Sequence, residues 1–155
     1  MKKTLCLYYS RTDSTKKAME RLAEILGADV ACYTDGKNRS GALGYLGCCF
    51  ASLKKFIDVK IQGDVNLADY ERVLIGMPVW AEGPCVLGKS LLKKYASELP
   101  GEVWYVVTQM GTSDYTKKIY ALDEFIGRPA AGHLSLRTKD NDYLAEIEKF
   151  AEELK

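Results

Sequence analysis

Residues 5–15 read Leu-Cys-Leu-Tyr-Tyr-Ser-Arg-Thr-Asp-Ser-Thr, an apolar run that passes directly into a polar turn. The run has no inside/outside alternation, which predicts a strand that is covered on both faces at the centre of a parallel sheet. Apolar residues at helical spacing follow from Ala18 to Leu26, and Gly27 ends the pattern. The stretch therefore predicts a buried strand, a short turn and a helix of about three turns.

Strand and helix patterns alternate along the rest of the chain. Strands are predicted over residues 3–9, 29–33, 72–77, 103–108 and 133–137, and helices near residues 87–97, 115–126 and 141–154. This alternation is typical of right-handed crossovers that place helices on both faces of a parallel sheet. Because no linker or repeat interrupts the chain, we expect residues 1–155 to form a single α/β domain with a doubly wound, five-stranded sheet.

The charges of the side chains nearly cancel. Lysine and arginine total 22, and aspartate and glutamate total 21, so the formal net charge is +1. Such a balance gives no basic surface field of the kind that nucleic-acid binding needs. The first apolar run ends at Ser10 and is too short for a secretory signal or a membrane span. We therefore expect a cytoplasmic protein with no nucleic-acid partner and no membrane span.

The cysteines and the single histidine do not follow a metal-binding or disulfide pattern. The five cysteines are an odd set without a Cys-x-x-Cys pair, which disfavours a zinc site or a disulfide framework. We interpret each cysteine as a small buried hydrophobic residue in a reducing compartment. His133 lies on a late predicted strand, and we expect it to have a structural role.

Residues 36–60 interrupt the regular alternation with a loop and a helical pattern. One face of the predicted helix carries Leu43, Leu46, Phe50, Leu53 and Ile57. Two interpretations remain open. Either the segment is only the crossover helix between the second and third strands, or it also places a side chain over a ligand site. Arg39 and Tyr45 are the candidates for that second role.

The turn after the first strand has the composition of an anion site. Residues 10–15 supply hydroxyl groups and backbone N–H groups at the start of a helix, where the helix dipole favours a negative charge. Lys16 and Lys17 strengthen this interpretation, because cations are unfavourable in a first turn unless an anion compensates them. The alternative is that Asp13 caps the helix with its own carboxylate.

Two further loops follow the third and fourth predicted strands, and we expect them to meet the first loop at one edge of the sheet. In the second loop, Trp80 either walls a planar ring or closes the end of the core. Gly83 is expected to adopt a positive φ angle, so that the peptide between Glu82 and Gly83 turns toward a ligand nitrogen. In the third loop, Tyr115 either forms a second wall or packs at the start of the next helix.

Two of these loops carry a resemblance to a known family. Residues 8–15, Tyr-Tyr-Ser-Arg-Thr-Asp-Ser-Thr, are similar to the first-loop pattern Ser-x-Thr-Gly-Asn-Thr of the flavodoxin family, with Asp13 in place of the loop glycine. Residues 75–81, Ile-Gly-Met-Pro-Val-Trp-Ala, resemble the second flavin loop of the family, often Gly-Thr-Pro-Val-Trp. Residues 108–115 stand where the third loop is expected. The resemblance covers nearly the whole chain.

The resemblance implies a three-layer flavodoxin-like fold with strand order 2-1-3-4-5 and a noncovalent flavin mononucleotide (FMN) cofactor. It places the FMN phosphate among Ser10, Arg11, Thr12, Asp13, Ser14 and Thr15. It places the isoalloxazine ring among Pro78, Val79, Trp80, Ala81, Glu82, Gly83, Gly111, Thr112, Ser113, Asp114 and Tyr115. The near-neutral charge of the chain departs from the acidic character of many electron-carrying flavodoxins.

The resemblance further implies a role in electron transfer, with redox partner proteins or a small redox substrate. An electron carrier is the first hypothesis. The second is an FMN-dependent oxidoreductase, similar to a quinone reductase or a protoporphyrinogen oxidase, in which Arg39, Tyr45 or Cys85 shapes a substrate pocket. The third is a binding module without flavin. In each case we expect a monomer or a weak homodimer.

Overall fold

The computed structural model describes residues 1–155. Its strands are β1 (Thr4–Tyr8), β2 (Asp29–Thr34), β3 (Lys60–Ile61), β4 (Arg72–Trp80), β5 (Gly83–Pro84), β6 (Glu102–Gln109) and β7 (Gly132–Arg137). Its helices are α1 (Ser14–Leu26), α2 (Gly41–Ser52), α3 (Val86–Tyr95), α4 (Thr116–Tyr120), α5 (Asp123–Ile126) and α6 (Tyr143–Leu154). Strands alternate with helices along the chain, so the α/β class that the sequence predicts is confirmed.

All seven strands belong to one sheet, in the order β3-β2-β1-β4-β6-β7, with β5 paired to β4. The five longer strands are parallel, and counted alone they lie in the order 2-1-3-4-5. The strands β3 and β5 have two residues each and run antiparallel to β2 and β4. The expectation of a five-stranded sheet is therefore wrong, because the pairing of such short segments leaves no trace in hydrophobic periodicity.

The register of the parallel strands brings three loops to one edge of the sheet. Tyr8 at the end of β1 pairs with Gly76 of β4, and Pro78 of β4 pairs with Thr108 near the end of β6. The segments that follow these three strands thus begin side by side. Ligands of open parallel sheets bind at this carboxyl edge, which is where the candidate loops were expected.

Helices cover both faces of the sheet. On one face, α1 and α6 pack against strand residues such as Cys6 and Leu74. On the other face, α2, α3, α4 and α5 pack against alternate residues of the same strands, such as Leu7 and Ile75. All four of these side chains are fully buried, which explains why the first strand shows no inside/outside alternation. The three-layer, doubly wound architecture is confirmed.

The helix α2 turns its large apolar residues toward solvent. Leu43 is 85% exposed and Phe50 is 69% exposed. The buried residues of this helix are small: Gly44, Cys48 and Ala51. A Cβ atom added to Gly44 would lie only 1.9 Å from the carbonyl carbon of Arg39, so only a face of small residues can approach the body of the protein. The helix ends at Ser52, and Ile57 therefore lies outside it.

The predicted helix over residues 115–126 is divided in two. The helix α4 ends at Tyr120 and α5 begins at Asp123, and tight turns join them, with the Leu122 N–H donating to the Ile119 carbonyl at 3.0 Å. Neither of these helices, nor any other in the protein, combines the length and the apolar character that crossing a bilayer requires.

Candidate functional site

A cavity of about 400 Å³ opens at the carboxyl edge of the sheet. Its walls are formed by the segments that follow the parallel strands, together with the first turn of α1 and one side of α2. The predicted site residues that line it are Ser10, Arg11, Thr12, Ser14, Thr15, Pro78, Val79, Trp80, Ala81, Gly111 and Tyr115. The cavity thus contains residues of all three predicted loops.

Asp13 shapes the first loop through its backbone. It is the N-cap residue of α1 and adopts a left-handed conformation with φ 64° and ψ −2°, which is uncommon for a residue with a Cβ atom. Its side chain makes no capping hydrogen bond, so the first N–H groups of α1 have no partner from this residue. The alternative in which the carboxylate caps the helix is therefore wrong. Asp13 is not among the residues that line the cavity, and its contact with the FMN phosphate stays a prediction.

The hydroxyl groups of the first loop differ in their hydrogen bonds. Thr15 Oγ1 and Thr108 Oγ1 lie 2.7 Å apart and link α1 to β6. Ser10 Oγ is buried and has no hydrogen-bond partner, although the residue lines the cavity. A buried hydroxyl without a partner costs about 1–3 kcal/mol. A polar ligand that pairs with Ser10 would therefore recover this energy.

Trp80 packs at the end of the core and also lines the cavity, so the two alternatives for this residue do not exclude each other. Its side chain is only 9% exposed and packs edge-on against Tyr9, with ring centroids 5.5 Å apart and planes at 87°. The guanidinium carbon of Arg39 lies 5.3 Å from the centroid of the Trp80 ring. Trp80 also lines the cavity. It therefore closes the end of the core and forms part of the cavity wall.

Arg39 lies behind this wall and does not line the cavity. Its two terminal nitrogens donate to the carboxylate of Asp35 at 2.7 Å and 2.6 Å, and both side chains are almost fully buried. Burial alone would raise the pKa of Asp35, but the hydrogen bonds from Arg39 and from the Lys37 N–H lower this pKa below its ordinary value. The interpretation that Arg39 overhangs the site is wrong, because Asp35 holds its guanidinium inside the protein.

Tyr45 is the residue of segment 36–60 that reaches the cavity as predicted. It lines the cavity together with Cys48 and Cys49. The guanidinium carbon of Arg11 lies 5.9 Å from the centroid of the Tyr45 ring, and Arg11 also donates to the Arg39 carbonyl at 3.4 Å. The segment is therefore a crossover helix that also supplies one wall of the cavity.

The second loop turns at Ala81 and not at Gly83. Trp80 pairs with Gly83 in the hairpin of β4 and β5, and Ala81 has a positive φ angle of 53°. Gly83 does not have a positive φ angle, so the expected turn of the peptide after Glu82 is wrong. Glu82 and Gly83 line a neighbouring cavity of about 440 Å³, where Lys118 donates to the Glu82 carbonyl. The hairpin thus places Glu82 and Gly83 at the second cavity, and their contact with the isoalloxazine ring stays a prediction.

Three predicted residues of the third loop do not line the cavity: Thr112, Ser113 and Asp114. All three are exposed, and two of them stabilise the loop itself. The Asp114 carboxylate accepts from the Thr116 N–H at 2.9 Å, and the Ser113 carbonyl accepts from Gln109 Nε2 at 3.0 Å. The other end of the Gln109 carboxamide, Oε1, is buried without a partner, and Gln109 lines the cavity.

Some lining residues are absent from the sequence prediction: Cys48, Cys49, Thr108, Gln109, Met110 and Thr138. Thr138 follows β7, and its N–H donates to the carbonyl of Gln109 at 2.9 Å. The rule that ligands bind beyond the carboxyl ends of parallel strands identifies Thr138 when it is applied to the fifth strand as well. No sequence signal indicates Cys48, because the outward orientation of α2 is not encoded in its apolar spacing.

Cys85, Cys49 and His133 were each assigned a role from the sequence. The structure contradicts the roles of the two cysteines and gives His133 a packing contact. Cys85 is fully buried, and burial raises the pKa of its thiol to about 12, which leaves almost no reactive thiolate. It lines neither cavity, so the interpretation that it shapes a substrate pocket is wrong. Cys49 is exposed and is not the buried residue that was expected. His133 packs edge-on against Tyr120 with ring centroids 5.0 Å apart, a structural contact.

Solved structures resemble this chain over its full length. A flavoprotein in complex with FMN from Lactobacillus acidophilus NCFM is 26% identical, with a TM-score of 0.74 and coverage of 97% of this chain and 99% of that chain. A flavoprotein from Bacteroides eggerthii DSM 20697 is 17% identical, with a TM-score of 0.76 and coverage of 98% and 97%. The two-electron reduced flavodoxin of Megasphaera elsdenii is 14% identical, with a TM-score of 0.60 and coverage of 97% and 98%.

No protein-family model and no curated protein matches the chain. The likeness to solved structures nevertheless extends from end to end, and it agrees with the motifs in the first two loops. The resemblance to the flavodoxin family that these motifs predict is confirmed, and the chain has a flavodoxin-like fold.

Proposed function

We propose that the chain binds FMN noncovalently in the cavity at the carboxyl edge of the sheet and acts in electron transfer. One observation carries the proposal: Ser10 Oγ and Gln109 Oε1 are buried without a hydrogen-bond partner, and both residues line the cavity. Buried polar atoms are nearly always paired in native proteins, so these two atoms indicate a polar ligand. The Lactobacillus acidophilus flavoprotein, 26% identical to this chain, is in complex with FMN.

The first loop supports binding of the FMN phosphate. The N–H groups at the start of α1 are not capped by the Asp13 side chain, and free N–H groups and the helix dipole together favour an anion. Ser10, Thr12 and Ser14 line the cavity, and their hydroxyl groups can donate hydrogen bonds to phosphate oxygens. Arg11, which also lines the cavity, adds a charge-assisted donor.

The second loop, the third loop and α2 support binding of the isoalloxazine ring. Tyr45, Trp80 and Tyr115 line the cavity, and aromatic side chains favour contact with a flat conjugated ring. The cavity volume of about 400 Å³ is within the usual range for cofactor sites, about 300–1,000 Å³. Gln109 Oε1 is a free acceptor, which suits an N–H group at the edge of the ring.

FMN, when bound, supplies the electron-transfer chemistry, and the protein supplies orientation and electrostatics. Trp80 is held from behind by Tyr9 and by the guanidinium of Arg39. Asp35 neutralises Arg39, so this support adds no net charge behind the wall. The side chain of Trp80 is therefore fixed by packing and by a neutral ion pair. A fixed aromatic side chain suits a site that orients a flat ring.

A second candidate function, an FMN-dependent oxidoreductase with a small substrate, is favoured by the neighbouring cavity. That cavity of about 440 Å³ shares Trp80 and Ala81 with the first cavity and offers space for a second small molecule. Steady turnover of NAD(P)H with a quinone by the purified protein would select the oxidoreductase. Electron exchange with a protein partner in the absence of such turnover would select the carrier.

We further propose that residues 1–155 form a single domain, that the protein is cytoplasmic, and that it is a monomer or a weak homodimer that acts with redox partner proteins or a small redox substrate. One sheet with buried clusters on both faces supports the single domain. Five free cysteines support a reducing compartment. Cell fractionation tests whether the protein is cytoplasmic, and analytical ultracentrifugation of the purified chain measures its oligomeric state.

Titration of the purified apoprotein with FMN, followed by quenching of flavin fluorescence, tests the cofactor proposal. The wild type is expected to saturate. Ser10→Ala is expected to weaken binding about tenfold, because it removes a hydrogen bond to a charged group. The same exchange should raise the melting temperature of the apoprotein, because it removes a buried hydroxyl without a partner. Ser113→Ala is the matched control, since Ser113 is exposed and outside the cavity.

The opposite signs of the two effects separate a binding role from a purely structural one. A Ser10→Ala protein that binds FMN as the wild type does would contradict the role of Ser10. The absence of saturable FMN binding by the wild type would refute the cofactor proposal and leave the binding module without flavin.

A further inference from the structure

The outward face of α2 is an apolar surface that nothing in the protein covers. We call it the α2 ridge, and it consists of Leu43, Tyr45, Leu46, Phe50 and Leu53. Each of these side chains is more than half exposed, from 53% at Leu46 to 85% at Leu43. The helix itself, Gly41–Ser52, contains no charged residue. Large apolar side chains clustered on one exposed face mark an interaction site, in contrast to single exposed residues elsewhere.

The charged residues of segment 36–57, which carries the α2 ridge, are all basic. Residues 36–57 contain two arginine or lysine residues before the helix and two after it, and no aspartate or glutamate. Arg39 is neutralised internally by Asp35. Lys37, Lys54 and Lys55 are exposed, and none of them forms an ion pair. The ridge is therefore bordered by free positive charge at both ends.

We propose that the α2 ridge docks the protein on an anionic phospholipid bilayer, with α2 lying in the plane of the interface. Apolar side chains that project from a helix and are flanked by lysines are the combination that binds such a surface, since the side chains enter the acyl boundary and the ammonium groups meet the lipid headgroups. A helix of 12 residues is about 18 Å long, enough to lie along the interface and too short to cross it.

A second copy of the chain fits the ridge less well than a bilayer does. A two-fold symmetric contact would bring the same patch of each copy together. The lysines that border the ridge would then lie close to the same lysines of the other copy, and segment 36–57 itself contains no acidic side chain.

Docking through the ridge would bring the mouth of the cavity to the lipid surface. Tyr45 belongs to the ridge and also lines the cavity. Cys49, one turn further along α2, lines the cavity as well. The inference goes beyond the proposed function and does not depend on FMN, because the ridge is part of the protein without ligand.

Sedimentation of the full-length apoprotein with vesicles tests the inference. The protein is expected to sediment with vesicles that contain phosphatidylglycerol and to stay in solution with vesicles of pure phosphatidylcholine. The double variant Leu46→Ser/Phe50→Ser should lower the bound fraction about tenfold, and Lys54→Glu/Lys55→Glu should have an effect of the same order. Leu144→Ser is the control, because Leu144 is 45% exposed but lies on α6, away from the ridge.

All exchanged side chains are exposed, so circular dichroism is expected to show the wild-type fold for each variant. FMN titration of the same variants keeps the inference separate from the cofactor proposal, because Leu46, Phe50 and the two lysines do not line the cavity. A wild type that stays in solution with phosphatidylglycerol vesicles would overturn the inference. A dimer in analytical ultracentrifugation that the Leu46→Ser/Phe50→Ser variant dissociates would overturn it as well, since a second copy would then cover the ridge.

Discussion

Asp13 stands where the first-loop pattern of the flavodoxin family has a glycine. Its φ angle of 64° lies in the left-handed region, which costs an ordinary L-residue about 1–2 kcal/mol and glycine almost nothing. Its carboxylate makes no capping hydrogen bond, although it belongs to the turn that presents N–H groups to the cavity. The backbone position is therefore retained, while the residue adds negative charge beside a proposed phosphate site.

We predict that Asp13→Gly tightens FMN binding by about three- to tenfold, because it removes a like charge near the phosphate. The measurement is the FMN dissociation constant of the purified apoprotein. Asp13→Asn is the matched control, since it removes the charge but keeps a side chain in the left-handed conformation. Unchanged or weaker binding by Asp13→Gly would show that the carboxylate does not oppose the ligand.

At the scale of single residues, the sequence motifs indicated the parts of the site that are set by composition. Ser10, Trp80 and Tyr115 line the cavity as predicted. The expectation that failed, a positive φ angle at Gly83, depends on the path of the backbone through a turn. The hairpin places its left-handed residue at Ala81, and this one choice sends Gly83 to the neighbouring cavity. A glycine suggests a positive φ angle, but it does not fix where a turn uses one.

At the scale of secondary-structure elements, hydrophobic periodicity predicted the parallel strands and most helices, but it did not predict the orientation of α2. The periodicity identifies an apolar face, and it does not tell whether that face meets the core or a partner. In α2 the close approach of Gly44 to the Arg39 backbone decides the matter. Such a steric contact depends on the positions of two segments in space, and the hydrophobic periodicity of one segment does not contain this information.

Alanine at Gly44 and alanine at Gly47, the two interior glycines of α2, are expected to change the free energy of unfolding in opposite directions. A Cβ atom at Gly44 would lie 1.9 Å from the Arg39 carbonyl oxygen and carbon, whereas the nearest contact of a Cβ at Gly47 is the Arg39 Cγ at 3.9 Å. Gly44→Ala is expected to destabilise the protein by about 2–3 kcal/mol, because backbone must move to admit the methyl group. Gly47→Ala is expected to stabilise it by about 0.5–1 kcal/mol through helix propensity.

Urea denaturation followed by circular dichroism measures both free energies of unfolding. The two variants make the same chemical change in the same helix, so the difference between them reports mainly the clash of residue 44 with the backbone of Arg39. Equal effects of the two exchanges would mean that α2 does not lie against residue 39 as the structure shows.

At the scale of the whole molecule, the sheet has a functional edge and a structural edge. The cavity occupies the carboxyl edge, and a cluster of charged groups ties the strands together at the opposite edge. Arg72 at the start of β4 donates to Glu102 at 2.6 Å and to the Leu154 carbonyl at the end of α6 at 2.8 Å. Trp104 Nε1 donates to the same Glu102 oxygen at 2.9 Å, and Lys2 forms an ion pair with Glu102. Glu102 and Arg72 thus join two strands, and Arg72 links them to the last helix.

This cluster predicts how stability depends on pH. Burial alone would raise the pKa of Glu102, but hydrogen bonds from Lys2, Trp104 and Arg72 lower it to about 2 in the folded protein. The unfolded chain has the ordinary glutamate value, about 4.3. A depressed folded pKa gives a stabilisation that is fully present above the unfolded pKa and is lost as the pH falls toward the folded pKa. The stabilisation from Glu102 is therefore expected to disappear between about pH 5 and pH 2.

Glu102→Gln is expected to lower the free energy of unfolding at pH 7 by about 2 kcal/mol, because it removes hydrogen bonds to a charged acceptor. The loss should shrink as the pH falls, since the wild-type carboxylate is then protonated too, and the two curves should approach each other near pH 2. Melting temperatures between pH 7 and pH 2 measure this convergence, with Glu153→Gln as the control because Glu153 is exposed and forms no ion pair. Parallel curves for Glu102→Gln and the wild type would contradict the role of Glu102, and FMN affinity at pH 7 should be unchanged because the cluster lies at the edge opposite the cavity.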